Sequence, residues 1–161
     1  MEKCIREGIK PSPKGVKMKL YIAYGSNTNR ISMAVRCPDA KYIGKSKLEN
    51  YKLAFKGTEN YSYLTVIPDE NSTLDVMIWA VSDSDETALD RYEDCPELYS
   101  KKYIPVNING ESVNALIYIM NNGFEKALPS EEYFNVVLDG YIENNLETEP
   151  LFQAMFDVKA I

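Results

Sequence analysis

The sequence predicts an α+β fold: a small mixed, mostly antiparallel sheet curled into a barrel, with about three helices packed outside. Six β-rich apolar runs are visible, at Lys19–Tyr24, Lys41–Phe55, Tyr61–Ile67, Leu74–Val81, Tyr103–Ile108 and Val113–Met120. The last two flank Asn109-Gly110, the pair that best supplies the two left-handed residues of a tight hairpin turn. Strands and helices do not alternate regularly, which argues against a doubly wound parallel sheet. A length of 161 residues suits one domain with a sizeable core.

The elements follow in order. Residues 1–17 are polar, contain Pro11, Pro13 and Gly15 and lack an apolar h-region, so they read as a flexible N-terminal tail and not a signal peptide. Residues 18–161 then form a single domain. The first strand, KLYIAY, stops at Gly25. Ser26 and Asn27 are good helix caps, and Ile31, Ala34 and Val35 recur at helical spacing until Pro38. Two strands follow, interrupted by the polar stretch around Gly57–Asn60. Leu74–Val81 is apolar on both faces, as a central strand should be. Ser82–Asp85 matches a capping box, and the short helix after it ends at Glu93. Ser130 caps a late helix whose Phe134, Val137, Leu138, Tyr141 and Ile142 mark an apolar face. The segment from Glu147 to Ile161 is ambiguous in pattern, and docking as a terminal strand is the reading it offers.

Composition removes several kinds of chemistry. The net charge of −6 argues against nucleic acid and anionic membranes as partners, because an acidic surface gains nothing from counterion release. No apolar run approaches the roughly 20 residues of a spanning helix. Histidine is absent, so imidazole bases, Ser-His-Asp and Cys-His arrangements and imidazole zinc sites are excluded. Cys4, Cys37 and Cys95 form no close pair, which fits a reducing, cytoplasmic setting and inert thiols. The acidic groups at Asp69, Glu70 and Asp75 lack the alternation of a calcium loop, and those at Asp83, Asp85 and Glu86 suit a helix start. No metal site is expected.

Two places could carry chemistry. At Tyr24-Gly25-Ser26-Asn27-Thr28, a glycine turn opens a helix whose first N–H groups lack internal partners, and such a terminus can hold a carboxylate or an oxyanion. The same residues also fit an ordinary capped turn. Glu93 stands four residues after Leu89 and shares its helix face. If Leu89 is buried, Glu93 is partly desolvated, its pKa rises, and it can act as acid and base near neutrality. Alternatively it is a surface residue paired with Lys101 or Lys102. The twelve tyrosines read mostly as half-buried strand residues.

Taken together, the chain resembles the γ-glutamylcyclotransferase family. Tyr24-Gly25-Ser26-Asn27 is similar to its Tyr-Gly-Ser-Asn signature after the first strand. Arg36-Cys37-Pro38, with Ala40 and Gly44, resembles the end of the following helix. Leu89-Asp90-x-x-Glu93 resembles the family's Leu-Asp-x-x-Glu element, Tyr99 its aromatic position, and Pro129-Ser130-x-x-Tyr133 the start of its late helix. The similarity runs in order from Lys19 to Asn145. It departs at Thr28, where the family usually has Leu or Met, and at Asp94, where it often has Gly.

The resemblance implies a barrel-like fold and conversion of a γ-glutamyl amide or amine to 5-oxoproline and the free amine, without a cofactor. It implies Glu93 as catalytic acid/base, and Tyr24, Gly25, Ser26, Asn27, Thr28, Tyr99 and Tyr133 as substrate-binding residues. The partner expected is a small γ-glutamyl molecule, and the assembly a monomer or homodimer. Two alternatives stay open: a binding module that holds γ-glutamyl or other carboxylate ligands without turnover, and an amidase using water.

Overall fold

The computed structural model describes residues 17–159 and arranges them as one six-stranded sheet with four helices against it. The strands are β1 (Lys19–Ala23), β2 (Lys41–Gly57), β3 (Ser62–Val81), β4 (Tyr99–Ile108), β5 (Glu111–Met120) and β6 (Glu125–Lys126). Their order across the sheet is β4-β5-β1-β3-β2-β6. Only β1 and β5 pair in parallel, at Tyr21 and Leu116; every other pairing is antiparallel. The two wings curl toward each other, and Ser46 Oγ on β2 donates to the Asn107 carbonyl on β4 at 2.6 Å. The result is a half-barrel of mixed sheet.

β3 is paired on both edges, by β1 and β2, and Val76–Val81 is buried on both faces, which explains its unbroken apolar run. The runs Tyr61–Ile67 and Leu74–Val81, expected to be separate strands, are the two ends of this one strand. The polar residues between them do not break it. Asp69–Ser72 stand opposite Asn50 alone in an irregular bulge, with Asn50 and Asn71 both at positive φ. The sixth strand is instead the short β6, paired with Lys56 and Gly57. The β4–β5 hairpin turns at Asn109 (φ 52°) and Gly110 (φ 85°), the two left-handed residues that the Asn-Gly pair foretold.

The helices are α1 (Arg30–Arg36), α2 (Asp83–Tyr92), α3 (Glu131–Glu143) and α4 (Glu149–Lys159). None among the described residues is long and apolar enough to cross a membrane. Three expectations need correction. In α1 the buried residue is Met33, while Ile31 and Val35 lie on the solvent face at 75% and 80% exposure. In α3 the inward stripe is Val137, Gly140 and Tyr141, and Ile142 is exposed. The C-terminal segment is not a strand: Leu151, Ala154, Met155 and Val158 recur at helical spacing and pack onto the core as α4. The expected tail, residues 1–17, lies outside the described residues except for Lys17.

Gly140 lets α3 approach the loop after β1 closely. A Cβ there would stand 2.4 Å from Thr28 Oγ1 and 2.7 Å from the Asn29 backbone nitrogen. Gly140→Ala is therefore expected to lower stability by about 1–3 kcal/mol through overpacking. In an ordinary helix interior the same change stabilises by about 1 kcal/mol. Chemical denaturation separates the two outcomes by sign.

Candidate active site

The chain leaves β1 at Ala23, and Gly25 leads into a single 3-10 turn, Ser26–Thr28. The helix cap is Asn29, not Ser26 or Asn27: its side chain accepts from the Ser32 N–H at 3.1 Å. The turn is held from behind by its carbonyls. Tyr141 Oη donates to the Tyr24 carbonyl at 2.5 Å, and Thr28 Oγ1 donates to that of Gly25 at 2.8 Å. Trp79 Nε1 donates to the carbonyl of Asn27 at 3.2 Å, and Asn144 Nδ2 to that of Thr28 at 2.9 Å. In a trans peptide the N–H points opposite to the C=O. With the Tyr24 and Gly25 carbonyls turned inward, the amides of Gly25 and Ser26 turn toward the cavity that both residues line.

Glu93 arrives from the other side. The reciprocal bonds of Ser82 and Asp85 start α2, Leu89 is fully buried, and the Glu93 N–H closes the helix on the Leu89 carbonyl at 2.8 Å. Lys101, one of the two lysines expected as alternative partners of Glu93, is engaged on the outer face, and the other, Lys102, is exposed. Lys101 contacts Glu86 and Asp90, each at 2.9 Å, and Lys19 contacts Glu86 at 2.6 Å. The next residue, Asp94, has φ 49°. That left-handed conformation favours glycine, which accounts physically for the glycine often found there in the resembling family.

Between the turn and the helix end lies a cavity of about 330 Å³. Eight of the chain's twelve tyrosines line it: Tyr21, Tyr24, Tyr61, Tyr63, Tyr92, Tyr99, Tyr118 and Tyr133. Its charged lining groups are Glu93 and Asp94. One wall is the part of β3 around Leu64, beyond the reach of β1, whose pairing with β3 begins at Met77. Two tyrosines satisfy this bare edge: Tyr133 Oη accepts from the Leu64 N–H at 3.1 Å, and Tyr99 Oη donates to the Leu64 carbonyl at 2.7 Å. Tyr24 Oη donates to the Tyr118 carbonyl at 2.6 Å. A Cβ at Gly25 would stand 3.5 Å from Tyr133 Oη, an ordinary contact, so what glycine leaves there is room in the cavity.

Glu93 keeps some accessible surface because it lines a hollow, but its carboxyl is enclosed. Burial raises its pKa from 4.5 to about 7, and the nearby Arg36 charge pulls the other way. Burial also pushes Tyr21, Tyr24, Tyr99 and Tyr133 well above the usual phenol range, with the Glu93 charge adding to the shift in each. They remain protonated donors. Cys37 is buried with its thiol pushed up to about 12 by that burial, and its Sγ faces the Asp85 carbonyl.

The structure thus brings Glu93, Tyr24, Gly25, Ser26, Asn27, Tyr99 and Tyr133 to one cavity. Thr28 does not belong with them. Fully buried behind the turn, it spends its hydroxyl on the Gly25 carbonyl and packs against Gly140, so it braces the turn and does not reach the hollow. Sequence reasoning missed the other lining tyrosines, which it took for strand filler. It also missed Arg36 in any role beyond the motif. The signal available was their number, twelve in 161 residues.

A curled sheet with an enclosed, phenol-lined hollow and one near-neutral carboxyl defines a site for a small polar molecule. Residues 21–135 match the family model described as "Gamma-glutamyl cyclotransferase, AIG2-like", and the chain belongs to that family. It is 28% identical over 142 residues to the γ-glutamylcyclotransferase of Bos taurus, spanning 81% of this chain and 73% of that protein. It is 25% identical to the Homo sapiens protein of the same name over the same shares. A solved structure named γ-glutamyl cyclotransferase superposes with a TM-score of 0.73 at 25% identity, covering 90% of this chain and 88% of that one.

The raised Glu93 value has a cost in stability. Between about pH 4.5 and 7 the native chain retains a proton that the unfolded chain releases. Its favourable effect is full below 4.5 and is lost as pH rises through 7. Glu93→Gln removes the buried charge. It is expected to stabilise the fold by on the order of 2 kcal/mol at pH 8 and to have little effect at pH 4, as read by thermal midpoints across pH.

Proposed function

We propose that this chain is a γ-glutamylcyclotransferase acting on a small γ-glutamyl compound, as a single domain over residues 18–161 in the cytoplasm. The observation that carries the reading is that Glu93 and the turn residues Gly25 and Ser26 line the same cavity, although far apart in the chain. Its similarity to proteins named γ-glutamylcyclotransferase supports it.

The substrate supplies its own nucleophile. Its α-ammonium gives a proton to the Glu93 carboxylate, and the freed amine attacks the γ-carbonyl carbon to form the C–N bond of a five-membered lactam. The carbonyl oxygen becomes an oxyanion facing the turn amides. The bond to the leaving amine then breaks as Glu93 gives that proton to the departing nitrogen. The ring nitrogen passes its remaining extra proton through the regenerated carboxylate to the freed amine, and 5-oxoproline and the amine, now an ammonium, depart. One carboxyl performs each transfer, and a pKa of about 7 suits both directions. The phenols of Tyr99 and Tyr133 orient the substrate.

Purified protein incubated with a panel of γ-glutamyl amino acids and γ-glutamylamines is expected to yield 5-oxoproline by mass spectrometry. Glu93→Gln is expected to lower turnover by about 100-fold or more with the fold intact. Acylating the substrate's α-amine should stop the reaction completely; release of glutamate from the blocked compound would identify an amidase. Thermal stabilisation by the panel with no product would identify a binding module.

A further inference from the structure

We propose that Arg36 is a positioning residue for Glu93: its guanidinium ties the Gly25–Asn27 turn to the helix end that carries the carboxyl. The inference rests on the reaction proposed above. Arg36 is the last residue of α1. Its Nη1 donates to Asn27 Oδ1, and its guanidinium carbon lies 3.3 Å from the centre of the Tyr92 ring, the residue just before Glu93. Both partners are fixed again on their far sides. Asn27 Nδ2 donates to Tyr21 Oη at 2.9 Å, and Tyr92 Oη shares a 2.7 Å hydrogen bond with Ser26 Oγ. One planar cation therefore grips the oxyanion side and the proton-transfer side of the cavity at once. A guanidinium suits this, because it stacks on an aromatic face while donating in its own plane.

The same cation acts on the carboxyl through space. The titratable groups facing Glu93 are Tyr21 on β1, Tyr24 at its end, Tyr99 on β4, Tyr133 on α3 and Arg36 on α1; Asp94 adjoins it at the rim. The phenols are neutral, so Arg36 is the one cation acting on Glu93 among the described residues, and it opposes the effect of burial. Without it the carboxyl would hold its proton more firmly and be a poorer base at pH 7.

The test titrates the Glu93 carboxyl by 13C NMR, with the resonance assigned through Glu93→Gln, in the wild type and in three variants. Arg36→Met removes charge and hydrogen bond. Arg36→Gln removes the charge but keeps a donor for Asn27. Arg36→Lys keeps the charge but loses the planar stack. Met and Gln are expected to raise the titration midpoint by about one pH unit or more and to move the acid limb of the kcat/KM profile with it. Lys should leave the midpoint near wild type and lower kcat more than it raises KM. If Arg36 only supports the fold, activity falls equally at every pH and the midpoint stays in place, which overturns the proposal. The Gln and Lys variants decide the matter if Met does not fold. The NMR midpoint is read without turnover, so loss of the cyclotransferase reading and loss of the Arg36 role are separate results.

Discussion

The site depends on one enclosed carboxyl group with no counter-ion in contact among the described residues. Glu93 ends α2, with Leu89 buried one turn before it. Acidic and basic side chains are plentiful nearby, but Lys19, Lys101, Glu86 and Asp90 satisfy one another on the outer face. Had one lysine reached Glu93, its attraction would have driven the pKa down by one to three units, and the group would be a fixed anion. Separating the surface ion cluster from the buried acid is what leaves it poised near neutrality.

That arrangement requires a sheet with an unfinished edge. β1 is short, so β3 leaves the backbone of Leu64 unpaired where the cavity forms. Unpaired backbone groups away from water cost about as much as a lost hydrogen bond, on the order of 1–3 kcal/mol each. Tyr99 and Tyr133 meet that need and line the hollow in the same stroke. The turn opposite has its carbonyls satisfied by Tyr141, Trp79 and Asn144, and its Thr28 N–H closes on the Gly25 carbonyl. At the strand, phenols that line the cavity take up both backbone groups of Leu64; at the turn, side chains from elsewhere take up the carbonyls.

Local signals in the sequence were legible where a local rule decides the structure. The Asn109-Gly110 turn, the Ser82–Asp85 box and the two-faced apolar run of β3 depend on a few adjacent residues, and each is present as expected. Errors arose where tertiary contact decides. Ile31 and Val35 have helical spacing, but one buried methionine fixes which face of α1 turns inward. Gly140 carries no hydropathy signal, yet it sets how near α3 comes to the turn. Thr28 sat inside the motif and was read with it, whereas its hydroxyl turns back onto the Gly25 carbonyl and away from the hollow. Arg36 was visible only as part of a motif, because its two partners come from separate parts of the chain.

Magnitudes show why such a sparse site suffices for the proposed reaction. Holding an amine against its own γ-carbonyl can supply about 7–11 kcal/mol of the barrier, and each oriented oxyanion donor about 2.7–4 kcal/mol. Enzymes as a class need roughly 8–23 kcal/mol of acceleration, so positioning and two backbone donors already reach the middle of that range. What remains is proton transfer, typically worth about 100- to 10,000-fold. A histidine would be one solution, but the chain has none. A carboxyl raised by burial to about 7 has nearly the proton affinity of an imidazole, and it needs no metal or second base to cycle. In the proposed reaction the nucleophile is tethered to the carbonyl it attacks, so held geometry gives the amine its advantage over water.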